Sequence, residues 1–411
     1  MNQYKRKVMK RLLYLVVAMV ALYACSGNQF NEEKYLRDMR ERIDQIQSAS
    51  YVEEALAYTP GNPEPLYHEF LFQKEYKNVN DTTVGTSFLL FDDREGSKLR
   101  SGYDGEARYT VYHEYKRIVR DDFTARDLPY RTVGDPFFRK VYHIMDYVLN
   151  THDSIEYSLT DSVDYYKFRL ITHEEEQIAF FGGSAKHLYE SKPYISDPTS
   201  EYEIWFSKQT DLPYRIKQTQ DRSISDQTCH NLILNAENPA DFDINDYLPQ
   251  GYVMRPYTVR QRSVSDANDL LNKPAPMWTT TDDDGNNYSL KDIHAKVVLM
   301  EFSATNCGPC QVAVPFLKAL REEYNENDLQ MVSFESWGVK GNAIKFYIEK
   351  KGLNYPYLLG TDVMLKDYKT GGSAPWFFLL DQHHFVRKVF YGYGEGTTDK
   401  EIRDAIQEMI K

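Results

Sequence analysis

Two cysteines, Cys307 and Cys310, enclose Gly308 and Pro309. They come directly after Val297-Val298-Leu299-Met300-Glu301-Phe302, an apolar run of buried-strand length, and they open a helical stretch running through Leu320. A thiol at the start of a helix meets unpaired backbone N–H groups and the positive end of the dipole, both of which stabilise a thiolate. Its pKa can fall from about 8.5 to about 7 or lower. The two-residue spacing lets the second thiol attack a mixed disulfide made by the first. The chemistry expected is dithiol–disulfide exchange, with Cys307 attacking and Cys310 resolving.

Other uses of such a pair fit less well. Cys-x-x-Cys is also half of a zinc site, and His383-His384 would be the other half. Neighbouring residues of a strand point to opposite faces, so the two histidines are not expected to hold one metal, and none is assigned. A peroxidase of the peroxiredoxin type would need proline and threonine at fixed offsets before Cys307, and they are absent. Cys229, followed by His230, reads as a packed thiol.

The elements needed to position the pair follow in βα order. Asp284-Gly285 marks the turn of a preceding hairpin, and Leu329 to Phe334 reads as a strand. A helix over Ala343 to Lys351, a strand over Phe377 to Leu380 and a last helix over Thr398 to Lys411 complete an α/β pattern. Pro315 is expected to kink the active-site helix.

From Pro274 to Lys411 the chain resembles the thioredoxin superfamily, and within it the envelope-anchored TlpA/ResA-like thiol-disulfide oxidoreductases. The residues that carry the resemblance are Ala275-Pro276-Met277-Trp278, Phe302, Ala304, Cys307-Gly308-Pro309-Cys310, Pro315 and Ala374-Pro375. It implies a cis Pro375 facing the disulfide, with Gly308, Pro309, Ala374, Pro375 and Trp376 meeting the substrate chain. Glu301 matches thioredoxin's buried acid, which relays a proton to the resolving thiol. The Gly-Pro dipeptide is that of reductive thioredoxins, whose poise is about −270 mV, so a protein-disulfide reductase is expected. The redox-active disulfide itself would be the only prosthetic group, and no other cofactor is expected. The chain departs from the family in three places: Ser303 and Asn306 stand where tryptophans are usual, and Trp376 replaces a threonine. The glutamate that several relatives carry three residues after the second cysteine is Ala313.

The first 24 residues read as an address. Lys5, Arg6, Lys7, Lys10 and Arg11 precede the 13-residue apolar run Leu12 to Ala24, which is shorter than the ~20 residues of a spanning helix. Leu22-Tyr23-Ala24-Cys25 resembles the lipobox of bacterial lipoproteins, which implies a signal peptide over 1–24 and lipidation at Cys25. An envelope lipoprotein facing the periplasm is expected. Ser26 lacks the aspartate of inner-membrane retention, which favours the outer membrane. The partners implied are exported thiol- or disulfide-containing proteins and an inner-membrane thiol reductase as electron donor. Removing the leader takes the formal charge from −12 to −17, a balance unsuited to nucleic acid.

At 411 residues, with 42% hydrophobic and 27% charged residues, two globular domains are expected. Residues 25–62 read as a tether with one or two helices, since Asn31 to Tyr58 has neither glycine nor proline. Over 63–257 the period is two: Tyr202, Ile204 and Phe206 alternate with polar residues and, after Asp211-Leu212-Pro213, so do Tyr214 and Ile216. Tyr109 to Val119 and Tyr165 to Ile171 also read as strand, and Phe137, Val141, Ile144 and Val148 as one helix. The fold class expected is an antiparallel β-rich (α+β) domain, a linker over 258–273 and an α/β thioredoxin-like domain over 274–411. The segment Tyr202 to Arg215 is similar to a hairpin of periplasmic lipoprotein-carrier half-barrels. That likeness keeps open an alternative reading, a lipid- or peptide-binding lipoprotein with an accessory or redox-inert thioredoxin-like domain.

Overall fold

The structure is a computed structural model that describes residues 31–126, 128, 130–173, 176–188, 197–220, 223–258, 265–339 and 341–411. The leader, Cys25 and residues 259–264 of the expected linker lie outside the described residues.

Helix α1 (Glu32–Asp44) begins at Asn31, whose side chain accepts a hydrogen bond from Lys34 N at 2.9 Å. Leu36, Met39 and Ile43 form its buried stripe. The helical pattern expected up to Tyr58 ends here, because Ser48–Tyr58 is strand β1. Its Glu-Glu-Ala-Leu-Ala run suits a helix, but β1 is paired on both edges, and pairing overrides propensity.

The strands that follow are β2 (Tyr67–Lys77), β3 (Thr86–Phe91), β4 (Leu99–Tyr103), β5 (Arg108–Tyr112) and β6 (Arg117–Asp121). After helix α2 (Phe137–Asn150) come β7 (Ile155–Asp161), β8 (Tyr165–Thr172), β9 (Gln177–Phe181) and β10 (Ser184–Leu188). The set ends with β11 (Ser200–Ser207), β12 (Leu212–Thr219), β13 (Ile224–Leu234) and β14 (Val253–Pro256). Among the described residues, all but the β9–β10 hairpin join one twelve-stranded sheet, ordered β14-β6-β5-β4-β3-β2-β1-β13-β12-β11-β8-β7. Only β14 with β6 is parallel. The expected hairpin is β11–β12, with Ile204 opposite Ile216. Tyr109 to Val119, expected as strand, is the hairpin of β5 and β6, turning at Lys116, whose φ is 45°.

Helices α1 and α2 cover one face of this sheet, packing Leu36, Met39, Val141 and Ile144 against Tyr51, Phe168, Tyr202 and Phe206. A polar network is buried beside that core. Tyr51 donates from its hydroxyl to Glu75 at 2.6 Å, and Gln73 and Gln227 donate to Glu53 at 2.6 and 2.8 Å. Cys229 packs at the edge of the same core on β13, and burial together with Glu75 and Glu53 holds its thiol well above the usual range.

The second half of the expected linker is structured. Short helix α3 (Ser265–Asn268) buries Ala267, and Leu270 and Leu271 pack beside it at helical spacing on the C-terminal core. After the hairpin β15 (Thr279–Thr281) and β16 (Asn287–Ser289) come β17 (Val297–Ser303), α4 (Gly308–Glu323), β18 (Leu329–Glu335) and α5 (Asn342–Lys351). The chain ends with β19 (Tyr357–Leu359), α6 (Asp362–Asp367), β20 (Trp376–Asp381), β21 (Val386–Tyr391) and α7 (Thr398–Ile410). The sheet order is β19-β18-β17-β20-β21, with β17, β18 and β19 parallel, β20 antiparallel to β17, and β21 antiparallel to β20 and so again in the direction of β17. Helices α4 and α7 cover one face through Ala313, Leu317, Ile402 and Ile406. Trp278, Met364 and Tyr368 cover the other. Among the described residues the cores of the two regions share no side chain. The β-rich N-terminal region and the thioredoxin-like C-terminal region are therefore separately cored.

Candidate active site

Every residue of β17 is buried, and the strand delivers the chain to its C-terminal edge at Ser303. Three hydrogen bonds then fix the short loop that leads into α4. Ser336 N donates to Ser303 O at 2.8 Å, Thr305 N donates to Glu335 Oε2 at 2.8 Å, and Gln311 Nε2 donates to Thr305 O at 2.8 Å. Cys307 is the N-cap of α4, and its sulfur accepts from Cys310 N at 3.2 Å. That is the N–H contact which, in the reduced form, stabilises a thiolate. Cys307 and Cys310 are joined in a disulfide, their Cα atoms 5.2 Å apart. Pro315 lies within α4, which runs as one helix to Glu323.

The sequence-predicted partners fall into three groups. Gly308 and Pro309 form the first turn of α4 and are partly exposed, and Ala374 packs on the cluster of Ala304, Cys307 and Cys310. The Ala374–Pro375 peptide is cis, as the resemblance implied. Trp376 lies on the core side, its ring 4.5 Å from that of Tyr391 and its Nε1 donating to Ser373 Oγ. The Trp376 side chain is thus buried in the C-terminal core.

Glu301 points to the same side of β17 as Val297 and Leu299, the side that α4 covers. Its Oε2 accepts from Ser333 Oγ at 2.5 Å, while Oε1 is buried without a hydrogen bond. Burial pushes the carboxyl up to about 7, against a smaller downward pull from the Ser333 and Ser303 hydroxyls. His383 and His384 stand in the β20–β21 turn and not in a strand, because Asp381 closes the turn by accepting from His383 N and Phe385 N. His384 Nε2 lies 3.0 Å from Ile293 O, away from the cysteines in the sequence and in its contacts. Among the described residues no cluster of three or more metal-ligating side chains occurs.

Three features were missed in the sequence. Glu335 ends β18 buried and accepts from Thr305 N, Tyr357 Oη and Trp337 N, so it ties the loop before Cys307 to two other segments. Burial holds its carboxyl above the ordinary value. A charged residue closing an apolar strand, as Glu301 does in β17, was the signal available. Trp337 is 49% exposed, with Nε1 donating to Gly372 O at 2.9 Å in the loop that leads to Pro375. The third is a contact from the other region: Thr59 Oγ1 donates to Asn306 Oδ1 at 3.4 Å, and Gly61 stands against the ring of Phe346 on α5. Nothing in the sequence linked Thr59 to Asn306.

The Redoxin family matches residues 270–406. The thiol-disulfide oxidoreductase ResA of Geobacillus thermodenitrificans is 30% identical over 138 residues, 33% of this chain and 76% of the relative. ResA of Bacillus thuringiensis is 26% identical over 137 residues, 33% of this chain and 79% of that one. The thioredoxin domain of a thiol-disulfide oxidoreductase from Bacteroides vulgatus is 19% identical, covering 34% of this chain and 98% of that one with a TM-score of 0.29. The residues of the β-rich region lie outside the Redoxin match. With a Cys-Gly-Pro-Cys disulfide at the head of α4 and this degree of likeness to ResA, the chain belongs to the TlpA/ResA-like thiol-disulfide oxidoreductases of the thioredoxin superfamily.

Proposed function

We propose that the chain is a protein-disulfide reductase of the bacterial cell envelope. The observation that carries this reading is the Cys307–Cys310 disulfide at the N-terminus of α4, with the buried Glu301 carboxyl, its pKa raised to about 7, on the strand behind it. In the reduced enzyme the Cys307 thiolate attacks one sulfur of a substrate disulfide, and the other sulfur leaves as a thiolate. The Cys310 thiol gives its proton to the Glu301 carboxylate and attacks the Cys307 sulfur. The mixed disulfide breaks, the enzyme disulfide re-forms, and two electrons have passed to the substrate. The cysteine pair needs no further cofactor for this. Gly308, Pro309, Ala374, Pro375 and the backbone of Trp376 form the surface on which the substrate chain docks.

The enzyme must then be reduced again in an oxidising compartment, and an inner-membrane thiol reductase is the donor proposed. The leader and Cys25 make it a lipoprotein facing the periplasm, with outer-membrane residence favoured by Ser26. Among the described residues no helix is long and apolar enough to cross a membrane.

Expression of Cys310→Ser in cells tests the reading, because the mixed disulfide on Cys307 then has no resolving thiol. Exported proteins should be trapped on Cys307 and released by reductant. An equal yield of adducts from the Cys307→Ser variant would refute the assignment. Intact-mass analysis of membrane-derived protein should find a diacylated Cys25, and an unlipidated N-terminus would remove the anchor.

A further inference from the structure

We propose that the β1–β2 turn of the N-terminal region, Thr59 to Pro63, is the specificity element of the redox site, a wall over Cys307 that admits a disulfide carried on a slender chain and excludes one fixed in a folded surface. This deepens the function proposed above and rests on Cys307 being the attacking thiol.

Three observations bear on the turn. Cys307 is only 2% exposed, yet exchange requires an incoming sulfur to reach it in line with the bond that breaks. Thr59 touches Asn306, the residue immediately before that cysteine. Two residues on, Gly61 lies so close to Phe346 that a Cβ added there would sit 2.4 Å from the ring. Asn306 carries a short side chain, which leaves room for the turn. A contact from the N-terminal region thus falls on the residue next to the attacking thiol.

The wall is lightly held. Its hydrogen bond to Asn306 is long, and Asn62, buried in the same turn, has an Nδ2 that meets no acceptor. A donor buried without an acceptor disfavours the closed form relative to one in which water reaches it. Pro60, Pro63 and Pro65 restrict the backbone of the turn, so it moves as one piece at the end of the paired β1 and β2 rather than by local unwinding. An open form populated at roughly 0.1–10% slows any partner that needs it by about 10- to 1000-fold. A partner that passes the wall pays no such penalty.

The test compares mixed disulfides of thionitrobenzoate carried by cysteine, by an unstructured peptide and by a surface cysteine of a small folded domain. Each is reduced by the full chain in its dithiol form, with the rate divided by that of dithiothreitol on the same probe. Phe346→Ala removes the ring beneath the turn, and Gly61→Val drives a branched side chain into that ring at a φ of 87°. Neither residue belongs to the exchange machinery. The wild type should favour the cysteine and peptide probes over the folded one by roughly ten-fold or more. Either variant that retains the wild-type circular dichroism should lose most of that preference with the small-probe rate unchanged. A single arm tells a small-molecule site from a peptide site, since only the former reduces the cysteine probe faster than the peptide. No preference in the wild type, or one unchanged in Phe346→Ala, overturns the wall. Loss of the small-probe rate in wild type, or labelling at Cys310 in place of Cys307, refutes the attacking thiol itself and so overturns both readings.

Discussion

Glu301 on β17 and Ser333 on β18 face each other across the parallel pair, and the serine hydroxyl donates to one carboxyl oxygen while the other is buried without a partner. One hydrogen bond is too little to hold a fully buried carboxylate ionised, which is why its pKa stands at about 7. The ionised fraction therefore changes across the pH range in which thiol exchange runs.

Resolution of a mixed disulfide should accordingly accelerate as pH rises through about 7 and Glu301 becomes able to accept the Cys310 proton. Glu301→Gln keeps the shape and removes the titration. The mixed disulfide should then accumulate, with resolution slowed by roughly 10²–10⁴-fold and attack by Cys307 unaffected. Stopped-flow traces in which resolution has the same rate and pH profile in both proteins would assign Glu301 to structure alone.

The same carboxyl links stability to pH. Its folded pKa is raised, so its contribution is fully present below the unfolded value of 4.5 and is lost as pH rises to about 7. The loss amounts to roughly 3 kcal/mol at most. Oxidised Glu301→Gln should thus melt higher than wild type at pH 8, and the difference should shrink towards pH 5. A melting difference independent of pH would contradict the assigned burial cost.

Glu75 poses the same problem in the N-terminal region. It accepts from Tyr51 Oη and from Phe138 N at the start of α2, where Pro136 offers no capping side chain. Burial holds its pKa at about 7, and Glu53 beside it is also raised. Glu75→Ala orphans Phe138 N, while Tyr51 Oη keeps Gln73 Oε1 at 2.9 Å, so the change should cost about 1–3 kcal/mol. The sign of the pH effect matches that of Glu301: the stabilising protonated form is lost between 4.5 and about 7, so this region should melt lower at pH 8 than at pH 5. Chemical denaturation followed by tyrosine fluorescence checks both statements.

The C-terminal elements were legible because pattern and position agree. β17 is uniformly apolar, α4 starts at a cysteine that caps it, and β18 and β20 follow at the expected places. β1 was not legible. Its alanines and glutamates suit a helix, and it is a strand only because β2 and β13 lie on either side of it. Glu301 could be found by its place before the motif, whereas Glu335 reaches the site through Thr305 N, 30 residues away in sequence. The contact of Thr59 with Asn306 spans 247 positions and has no local signature.

Glu335 should act as a positioning residue. Its two oxygens accept from backbone N–H groups on both sides of the site, Thr305 and Trp337. Glu335→Gln turns one oxygen into an NH₂ facing an N–H donor, leaving a buried clash of donors that costs about 1–3 kcal/mol. The loop before Cys307 should loosen. Amide exchange at Thr305 should quicken, and the pH dependence of Cys307 alkylation should shift, with little change in the global melt relative to Glu335→Ala. Unchanged exchange at Thr305 would show that the loop is held by Gln311 and Ser336 alone.

Trp337 is the exposed aromatic that the positions of Ser303 and Asn306 lack. Its backbone hangs from Glu335 and its indole N–H reaches Gly372 O, so the ring stands between the loop before Cys307 and the loop that ends in cis-Pro375. A large apolar surface left exposed next to the loop that ends in cis-Pro375 is placed to pack on an incoming chain. Trp337→Ala should therefore raise KM for a disulfide-bearing peptide by roughly ten-fold, the effect of about 1.4 kcal/mol of lost contact. Stability should move by no more than about 0.5 kcal/mol, because the side chain is half exposed. Trp337→Phe retains the ring but loses the bond to Gly372, and it should restore most of the binding if packing is what matters. Steady-state reduction of the peptide measures all three proteins, and an unchanged KM in Trp337→Ala would remove the indole from the docking surface.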